Sequence, residues 1–290
     1  MLQQRQGSHV SSMLSKTARL RQIIADLGNA VVAFSGGVDS TYLLSECLDV
    51  LGPENVLAIT AEAEIHPREE ITAARETARH LGARHRVIRL HPLDNPRFST
   101  NPPDRCYWCK RDLLTAISAV AQKEGLTYVV HGANADDVGD YRPGNRAAQE
   151  LGVRAPLLEA GLTKEEIRQL AREKGLPTWN RPAQACLATR FPYGTPLSEE
   201  GLHRVEAAEA FLQAEFGLEG FRVRDHYPVA RLEVAPADWP RLLAEDARTR
   251  LVARLRELGY VYVTLDLAGF RSGSMNEVLP TDKQEDTTDG

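Results

Sequence analysis

Residues 30–44 read AVVAFSGGVDSTYLL, which is a short apolar run, a turn with two adjacent glycines, and a second apolar run. The first run predicts a buried strand over 30–34, and the second begins a helix predicted over 40–51. Adjacent glycines let the backbone bend sharply and approach a ligand closely. The helix start after them presents N–H groups and a positive dipole end that suit a phosphate. The segment therefore predicts an anion site, with a plain strand-to-helix turn as the alternative.

Strands and helices continue to alternate as far as about residue 185. The pattern predicts strands at 56–61, 86–90 and 128–131, and helices at 68–81, 110–124 and 163–174. This alternation predicts an α/β fold with a parallel sheet that is covered on both faces. Because ligands of such sheets bind beyond the carboxyl ends of the strands, the loops after Phe34, Thr60 and His131 should share one edge.

A region with a different pattern follows. It predicts helices at 198–216 and 237–258 and strands at 220–226, 229–235 and 260–267, which together make a small α+β unit. We therefore predict a first domain over 18–185, a smaller C-terminal domain over 197–280, and flexible ends at 1–16 and 281–290.

Composition restricts the class of protein. The chain has 290 residues, of which 42% are hydrophobic and 26% charged, and its formal net charge is -5. The acidic balance argues against a nucleic acid partner. Neither a bilayer-spanning apolar run nor a secretory signal is present. Because four cysteines are too few for a secreted disulfide scaffold, we predict a cytoplasmic protein. From the acidic balance and the lack of a spanning run, we predict no nucleic acid partner and no membrane partner.

Three of the cysteines lie in proline- and arginine-containing sequence. Cys106 and Cys109 form CYWC, and Cys186 lies in PAQACLATR. The CYWC pair fits a redox pair, half a zinc site or part of an iron–sulfur site, and three unconnected thiols are the simpler alternative. Three thiolates can also hold a [4Fe–4S] cluster with one iron open to an extra sulfide, which is our hypothesis. Cys47, in an apolar helix, is interpreted as a small buried hydrophobe.

The hexapeptide SGGVDS after a strand resembles the PP-loop of N-type ATP pyrophosphatases. That resemblance implies cleavage of ATP between the α and β phosphates, transfer of AMP to the substrate, and a requirement for ATP and Mg²⁺. It implies nucleotide contacts at Ser35, Gly36, Gly37, Val38, Asp39, Ser40, Thr60, Gly132 and Asp137. For Asp136 and Asp137 the alternative is helix capping.

Six segments in order, SGGVDS, RCYWCK, GANADDVGDYRPG, ACLATRFPYG, FRVRDH and TLDLAGFRSGSMNE, together resemble the LarE family of ATP-dependent sulfur transferases. The likeness covers about 18–280. It implies that carboxylates of pyridinium-3,5-biscarboxylic acid mononucleotide become thiocarboxylates for nickel-pincer cofactor synthesis. Some members sacrifice the sulfur of the cysteine that matches Cys186, leaving dehydroalanine. Because Cys106 and Cys109 are also present, we expect cluster-based transfer, with sacrificial loss at Cys186 as the alternative.

The resemblance also points to residues that contact the substrate. Arg222 and Arg224 alternate on one strand and are predicted to bind its phosphate, with a solvated strand face as the alternative. Arg190 is predicted to serve the same anionic substrate. Trp108 either stacks on the pyridinium ring or packs in the protein. Residues 140–142 belong to a matched segment, without an assigned role.

Two further expectations concern function and assembly. Thiolation of tRNA shares the PP-loop and the three cysteines, but it predicts a basic groove and an added RNA-binding module. The resemblance suggests a homo-oligomer, such as a hexamer. Three acidic residues, Glu206, Glu209 and Asp266, are candidates for a second site without assigned roles.

Overall fold

A computed structural model describes residues 2–138, 143–182, 185–271 and 273–279, with side chains from residue 13 onward. Of the predicted features, residues 140–142 and the flexible end at 281–290 lie outside the described residues. The described residues form two compact units. The first contains residues 2–90 and 106–182, and the second contains 91–105 and 185–279.

The helices are α1 (Leu2–Leu27), α2 (Val38–Leu51), α3 (Arg68–His80), α4 (Pro96–Ser99), α5 (Arg105–Lys123), α6 (Pro143–Glu150), α7 (Pro156–Glu159), α8 (Lys164–Glu173), α9 (Glu199–Phe216), α10 (Trp239–Leu243) and α11 (Glu245–Glu257). The strands are β1 (Ala30–Ala33), β2 (Val56–Glu62), β3 (Arg84–Arg89), β4 (Val129–His131), β5 (Arg222–His226), β6 (Val229–Glu233) and β7 (Tyr262–Leu265).

The first unit is built on a four-stranded sheet in the order β3-β2-β1-β4. Every neighbouring pair in this sheet is parallel. In this register Ala33 lies beside Ile59 of β2 and His131 of β4, so the three strands end at the same edge. The predicted α/β class with a parallel sheet is therefore confirmed.

Helices cover both faces of this sheet. Successive strand residues point to opposite faces, and Val32 accordingly packs into one core with α1, α2 and α8. Its neighbour Val31 packs into a second core with Leu114 and Ile117 of α5. The continuous apolar run of β1 follows from this double burial, as in other parallel sheets.

Buried charge joins three of the helices. Glu46 of α2 is only 1% exposed. Its carboxylate accepts hydrogen bonds from Nε of Arg21 on α1 at 2.8 Å and from Nζ of Lys174, which follows α8, at 2.7 Å. A buried carboxylate is stable only when it is paired in this way.

Helix α1 corrects the predicted flexible arm at residues 1–16. The helix begins at Leu2. Met13 is buried, and Nζ of Lys16 lies 2.8 Å from both carboxylate oxygens of Glu166 on α8. The prediction of a loose segment is therefore wrong for residues 13–16, because these side chains contact the first unit.

The second unit contains a small mixed sheet, in which β5 and β6 are antiparallel and β6 and β7 are parallel. Ser198 caps α9, since its Oγ accepts a hydrogen bond from the N–H of Gly201 at 3.1 Å. The single helix predicted over 237–258 is wrong. Ala244 is extended, with ψ 140°, and separates α10 from α11. Acidic Glu245 and Asp246 then occupy the first turn of α11, where they favour a new helix start.

We expect Lys174→Met to destabilise the first unit, because it leaves Glu46 buried with one cation instead of two. The loss should be about 1–3 kcal/mol, below the value for a fully buried pair, because the Lys174 side chain is 26% exposed. The exposed Lys123 at the end of α5 is the matched control, and Lys123→Met should change stability by less than about 0.5 kcal/mol. Urea unfolding measures the free energy of unfolding of both variants. Equal losses in the two variants would show that the ion pair of Lys174 with Glu46 does not stabilise the first unit.

Candidate functional site

The turn between β1 and α2 has a shape that requires glycine. Gly36 has φ +74°, a conformation that side chains other than glycine rarely adopt. A Cβ atom placed there would also lie 3.0 Å from Cα and Cβ of Ala74 on α3. Gly37 forms the N-cap of α2 without a side-chain cap. The N–H groups of the first turn therefore stand at the open end of the helix, as an anion site needs.

Two serines fix the same turn. Oγ of Ser35 lies 3.1 Å from Oγ of Ser40 and accepts a hydrogen bond from the N–H of Gly37 at 3.3 Å. Oγ of Ser40 donates to the carbonyl of Gly37 at 3.1 Å. These bonds connect the two ends of the turn before any ligand binds.

A pocket of about 260 Å³ opens beside this turn, at the carboxyl ends of the strands. Its wall includes these residues predicted to contact nucleotide: Ser35, Gly37, Asp39, Ser40, Thr60, Gly132 and Asp137. Gly36 and Val38 belong to the same turn, and Val38 is buried. The fold thus brings the predicted residues together, while their contact with a nucleotide stays a prediction.

Gly132, after β4, closes the pocket from the opposite side. A Cβ atom on Gly132 would lie 3.0 Å from the backbone nitrogen of Ser40 and 3.2 Å from Cβ of Asp39. The loop after β4 can therefore approach the start of α2 only because it has no side chain at this position.

Asp39 combines an ion pair with an unsatisfied oxygen. One carboxylate oxygen pairs with Nζ of Lys164 at the start of α8. The other, Oδ1, is buried and has no hydrogen-bond partner among the described residues. Burial raises the pKa of Asp39, the Lys164 cation opposes this, and the nearby Asp137 carboxylate raises it further. The carboxylates of Asp39 and Asp137, one of which has an unpaired oxygen, are donors that suit a divalent cation such as Mg²⁺.

Asp136 and Asp137 also have the capping role that was their alternative interpretation. Asp137 lies in a short 3₁₀ turn (Ala135–Asp137), where its Oδ2 accepts a hydrogen bond from the N–H of Asn134 at 3.0 Å. Oδ2 of Asp136 accepts one from the N–H of Lys164 at 2.8 Å. Asp137 lines the pocket as well, so capping and a pocket role are compatible for that residue.

Sequence reasoning missed part of the pocket wall. Lys110, Leu113 and Ile117 of α5 line it together, since they recur at helical spacing on one side of the helix. Burial lowers the pKa of Lys110, and the nearby groups of Cys109 and Asp137 oppose that shift. The i, i+3, i+7 spacing was visible in the sequence, but the direction in which α5 packs was not.

Thr60 supports the pocket through its hydroxyl. Oγ1 donates to the carbonyl of Phe34 at 2.8 Å and lies 2.8 Å from Nε2 of His85. Because the hydroxyl proton is used on Phe34, the bond to His85 requires an Nε2–H on the imidazole. Thr60 of β2 thus connects the residue after β1 with the first part of β3.

The cysteines have distinct environments. Cys47 is fully buried, which confirms its interpretation as a small core residue, and burial raises its pKa to about 12. Cys106 is exposed and Cys109 half-buried on the first turns of α5. Helix α5 begins earlier than predicted, and this places the two thiols three residues apart on a helix. Trp108 between them is half-buried, with its ring 4.9 Å from that of Tyr107.

Cys186 belongs to the second unit and precedes a 3₁₀ turn (Leu187–Arg190). Its side chain is partly exposed and does not cap that turn. Arg190, at the end of the turn, is 1% exposed and forms two hydrogen bonds with the carboxylate of Glu209, at 2.9 and 2.8 Å. The guanidinium predicted to meet an anionic substrate is therefore held by an internal carboxylate.

The two strand arginines differ from each other. Arg224 is buried and donates to Glu233 at 2.6 Å and to Oγ of Ser274 at 2.8 Å. Arg222 is half-buried, and its guanidinium lies 5.2 Å from the ring centre of Phe270. Within the described residues, no carboxylate forms an ion pair with Arg222. Its charge is thus the one that remains available to an anion.

Metal-ligand clusters and membrane-spanning helices are both absent from the described part of the chain. No cluster of three or more His, Cys, Asp or Glu side chains has the arrangement of a metal site. None of the described helices combines the length and apolar character needed to cross a membrane.

Comparisons with known proteins give consistent matches. A family model described as NAD synthase matches residues 15–104. An uncharacterized protein of Synechocystis sp. is 41% identical over 91% of this chain and 98% of its own length. The pyridinium-3,5-bisthiocarboxylic acid mononucleotide synthase of Lactiplantibacillus plantarum is 39% identical over 93% of this chain and 97% of its own length. An argininosuccinate synthase of Haloarcula marismortui is 31% identical over 52% of this chain and 38% of its own length.

We expect Gly36→Ala to weaken binding of inorganic pyrophosphate about tenfold or more, equivalent to roughly 1.4 kcal/mol, because the new methyl group collides with Ala74 and displaces the turn. Gly161→Ala is the matched control, since Gly161 has the same φ of +74° but a Cβ placed there would meet no atom within 4 Å. Isothermal titration calorimetry measures both affinities. Equal affinities for the two variants would show that contact with Ala74 does not shape the site.

His131, at the end of β4, should make stability depend on pH. Burial, with a smaller contribution from the Lys110 cation, lowers the pKa of His131 from 6.5 to about 3. The unfolded chain therefore binds this proton more readily, so the stabilisation is complete above pH 6.5 and is lost as the pH falls toward 3. We expect His131→Asn to reduce the loss of stability between pH 7.5 and 5, measured by urea unfolding, whereas the substitution His80→Asn, at the exposed last residue of α3, should not. An imidazole resonance of His131 that titrates near pH 6.5 would contradict this.

Proposed function

The chain belongs to the LarE family, as does the Lactiplantibacillus plantarum synthase, and we propose that it is an ATP-dependent sulfur transferase that acts on a pyridinium mononucleotide. The observation that carries the proposal is the alignment to that synthase, which spans 97% of the synthase and both units of this chain. The match to the NAD synthase family over the glycine turn supports the use of ATP by the first unit.

We propose that the first unit adenylates a substrate carboxylate. A carboxylate oxygen attacks the α phosphorus of ATP, pyrophosphate leaves, and an acyl adenylate forms. The first-turn N–H groups of α2 and the hydroxyls of Ser35 and Ser40 would bind the released pyrophosphate. Asp39 and Asp137 would hold Mg²⁺, which neutralises phosphate charge. Lys110 lies in the same wall and supplies a further cation.

The second half of the proposed reaction introduces sulfur. A sulfur nucleophile attacks the acyl carbon, and AMP leaves with the bonding electrons. We propose that Cys106, Cys109 and Cys186 hold a [4Fe–4S] cluster that delivers the sulfur. The exposed and half-buried thiols of Cys106 and Cys109, one helical turn apart, fit two of the ligand positions. Donation of the sulfur of Cys186 itself is the alternative.

Substrate binding is proposed for the second unit and for Trp108. Arg222 is the strongest candidate for the substrate phosphate, because its half-buried guanidinium has no carboxylate partner among the described residues. The guanidinium of Arg190 already binds Glu209, and that of Arg224 already binds Glu233. Each would have to bind the substrate phosphate in addition to its carboxylate partner. Stacking of Trp108 on the pyridinium ring stays a prediction.

The remaining proposals concern the cellular location of the protein, its assembly and the alternative substrate tRNA. We place the protein in the cytoplasm on the basis of its four cysteines in 290 residues, and we expect a homo-oligomer. Thiolation of tRNA is disfavoured by the net charge of -5 and by the alignment, along the chain, to a synthase named for a small molecule.

The ATP half is tested by incubating anaerobically prepared protein with ATP, Mg²⁺ and pyridinium-3,5-biscarboxylic acid mononucleotide. We expect release of AMP and pyrophosphate that depends on the mononucleotide. Asp39→Ala should reduce the rate by about 10²-fold or more, because it removes a ligand of the Mg²⁺ that neutralises the phosphate charge. Asp26→Ala, on the exposed side of α1, should not change it. Absence of AMP with the wild-type protein would overturn the proposed adenylation.

The sulfur half is tested by iron and sulfide analysis of the same preparation. We expect Cys106→Ala and Cys109→Ala to lose iron and thiocarboxylate formation while AMP release continues, because adenylation does not need the cluster. Cys47→Ala should retain all three, since Cys47 is a buried core residue. A wild-type protein without iron after reconstitution, together with a mass loss of about 34 Da per chain after turnover, would instead indicate sulfur donation by Cys186.

A further inference from the structure

Arg181 contacts the glycine turn of the first unit through a backbone carbonyl. Its Nη1 donates a hydrogen bond to the carbonyl oxygen of Gly36 at 3.2 Å. The side chain is half-buried, and no carboxylate of the described first unit forms an ion pair with it. The cation is thus directed at the turn and not at an acidic side chain.

The backbone of Arg181 is held without the help of its guanidinium. Its N–H donates to the carbonyl of Thr178 at 3.1 Å, and its carbonyl accepts a hydrogen bond from Nη2 of Arg168 on α8 at 3.3 Å. Thr178 itself is buried. Attachment of this segment to the first unit therefore does not require the bond to Gly36.

The bond from Arg181 fixes one side of the peptide that joins Gly36 and Gly37. In a trans peptide the C=O and the N–H point in opposite directions. With its C=O directed to Arg181, this peptide directs the N–H of Gly37 to the side where Oγ of Ser35 lies. Ser35 and Gly37 both line the pocket, so this N–H belongs to the anion site.

The same peptide has little resistance of its own to rotation. It is flanked by two glycines, and neither has a Cβ atom to restrict the backbone angles. A half-turn of the peptide would direct its carbonyl oxygen into the pocket. A partial negative charge would then face a phosphate, whereas anion sites are built from converging N–H groups. The turn therefore needs an outside group that selects one orientation.

We propose that Arg181 is a positioning residue that holds the Gly36–Gly37 peptide with its N–H facing the site of the leaving pyrophosphate. This inference rests on the proposed function, which assigns the glycine turn to pyrophosphate. The nitrogen of Gly37 lies 3.3 Å from Oγ of Ser35, longer than most N–H···O bonds, so the N–H can exchange this partner for a phosphate oxygen. Arg181 thus sets the direction of a donor before the ligand arrives.

Two other roles would also place an arginine at this point. In the first, the cation of Arg181 attracts phosphate by charge alone, without orienting the peptide. In the second, Arg181 stabilises the fold of the whole unit. The orientation of the Gly37 peptide in ligand-free protein separates the first role from our proposal. Binding of a ligand that lacks the phosphates assigned to the turn separates the second.

The experiment compares the wild-type protein with Arg181→Met and Arg181→Lys. Titration calorimetry measures the affinities for inorganic pyrophosphate and for AMP. We expect Arg181→Met to weaken pyrophosphate binding by about tenfold, the loss expected for one hydrogen bond to a charged group, and to leave AMP binding unchanged. Arg181→Lys should retain the wild-type affinity, because a single carbonyl acceptor does not need the forked geometry of a guanidinium.

Relaxation dispersion of ¹⁵N-glycine-labelled protein without ligand follows the peptide itself. We expect the Gly37 amide of Arg181→Met to show exchange on the microsecond-to-millisecond timescale, which reports a second orientation. The Gly37 amide of the wild-type protein and of Arg181→Lys should show none. The amide of Gly161, elsewhere in the first unit, should behave identically in all variants and serves as the internal reference.

Arg172→Met is the matched control. Arg172 is an exposed arginine of α8, and its guanidinium lies 5.1 Å from the ring centre of Trp179, in the same segment as Arg181. Its substitution removes one positive charge beside this segment without removing a contact to the turn. We expect neither the pyrophosphate affinity nor the Gly37 amide to change.

Three results would overturn the proposal: a Gly37 amide without exchange in Arg181→Met, an equal weakening of pyrophosphate and AMP binding, or equal losses in Arg181→Met and Arg172→Met. Wild-type protein that binds no pyrophosphate would instead overturn the proposed function of the turn. In that case the Gly37 amide would still decide whether Arg181 holds the peptide, since that measurement uses no ligand.

Discussion

The candidate nucleotide site depends on the parallel register between β1 and its two neighbours. Because Ala33 lies beside both Ile59 and His131, the three following loops start at one edge of the sheet. Shifting one strand by a residue would turn its side chains to the opposite face and would move its loop away from the others. The pocket wall, the ion pair of Asp39 and the close approach of Gly132 all follow from this alignment.

Much of the first unit could be predicted from the sequence because its signals are local. The apolar run of β1, the glycine turn and the capping box at Thr163 and Glu166 involve residues within a few positions of one another. The break at Ala244 was missed because helical periodicity continues on both sides of it. The early start of α5 at Arg105 was missed because CYWC was interpreted from its cysteine spacing and not as part of a helix. The sequence thus predicts more reliably whether a segment is a helix or a strand than where that segment begins and ends.

The second unit shows why side-chain roles were harder to predict. Arginines on a strand suggest an anionic ligand, and the sequence alone cannot say whether a carboxylate from elsewhere in the chain will neutralise them. Glu209 reaches Arg190 from α9, and Glu233 reaches Arg224 from the neighbouring strand. Burying a guanidinium is costly unless it is paired, and these partners make the burial possible. Of these three arginines, Arg222 alone has no carboxylate ion-pair partner among the residues that the structure describes.

The contact between Gly36 and Ala74 links the nucleotide turn to a residue almost forty positions away. Since a Cβ placed on Gly36 would lie 3.0 Å from Cα and Cβ of the fully buried Ala74, the turn and α3 leave little space at position 74 for a side chain larger than a methyl group. Homologous chains that keep the glycine turn should therefore keep a small residue there, even though this residue touches no ligand. An alignment of the family should therefore show small residues at positions 36 and 74 together. A redesigned α3 would need a residue about as small as alanine at position 74.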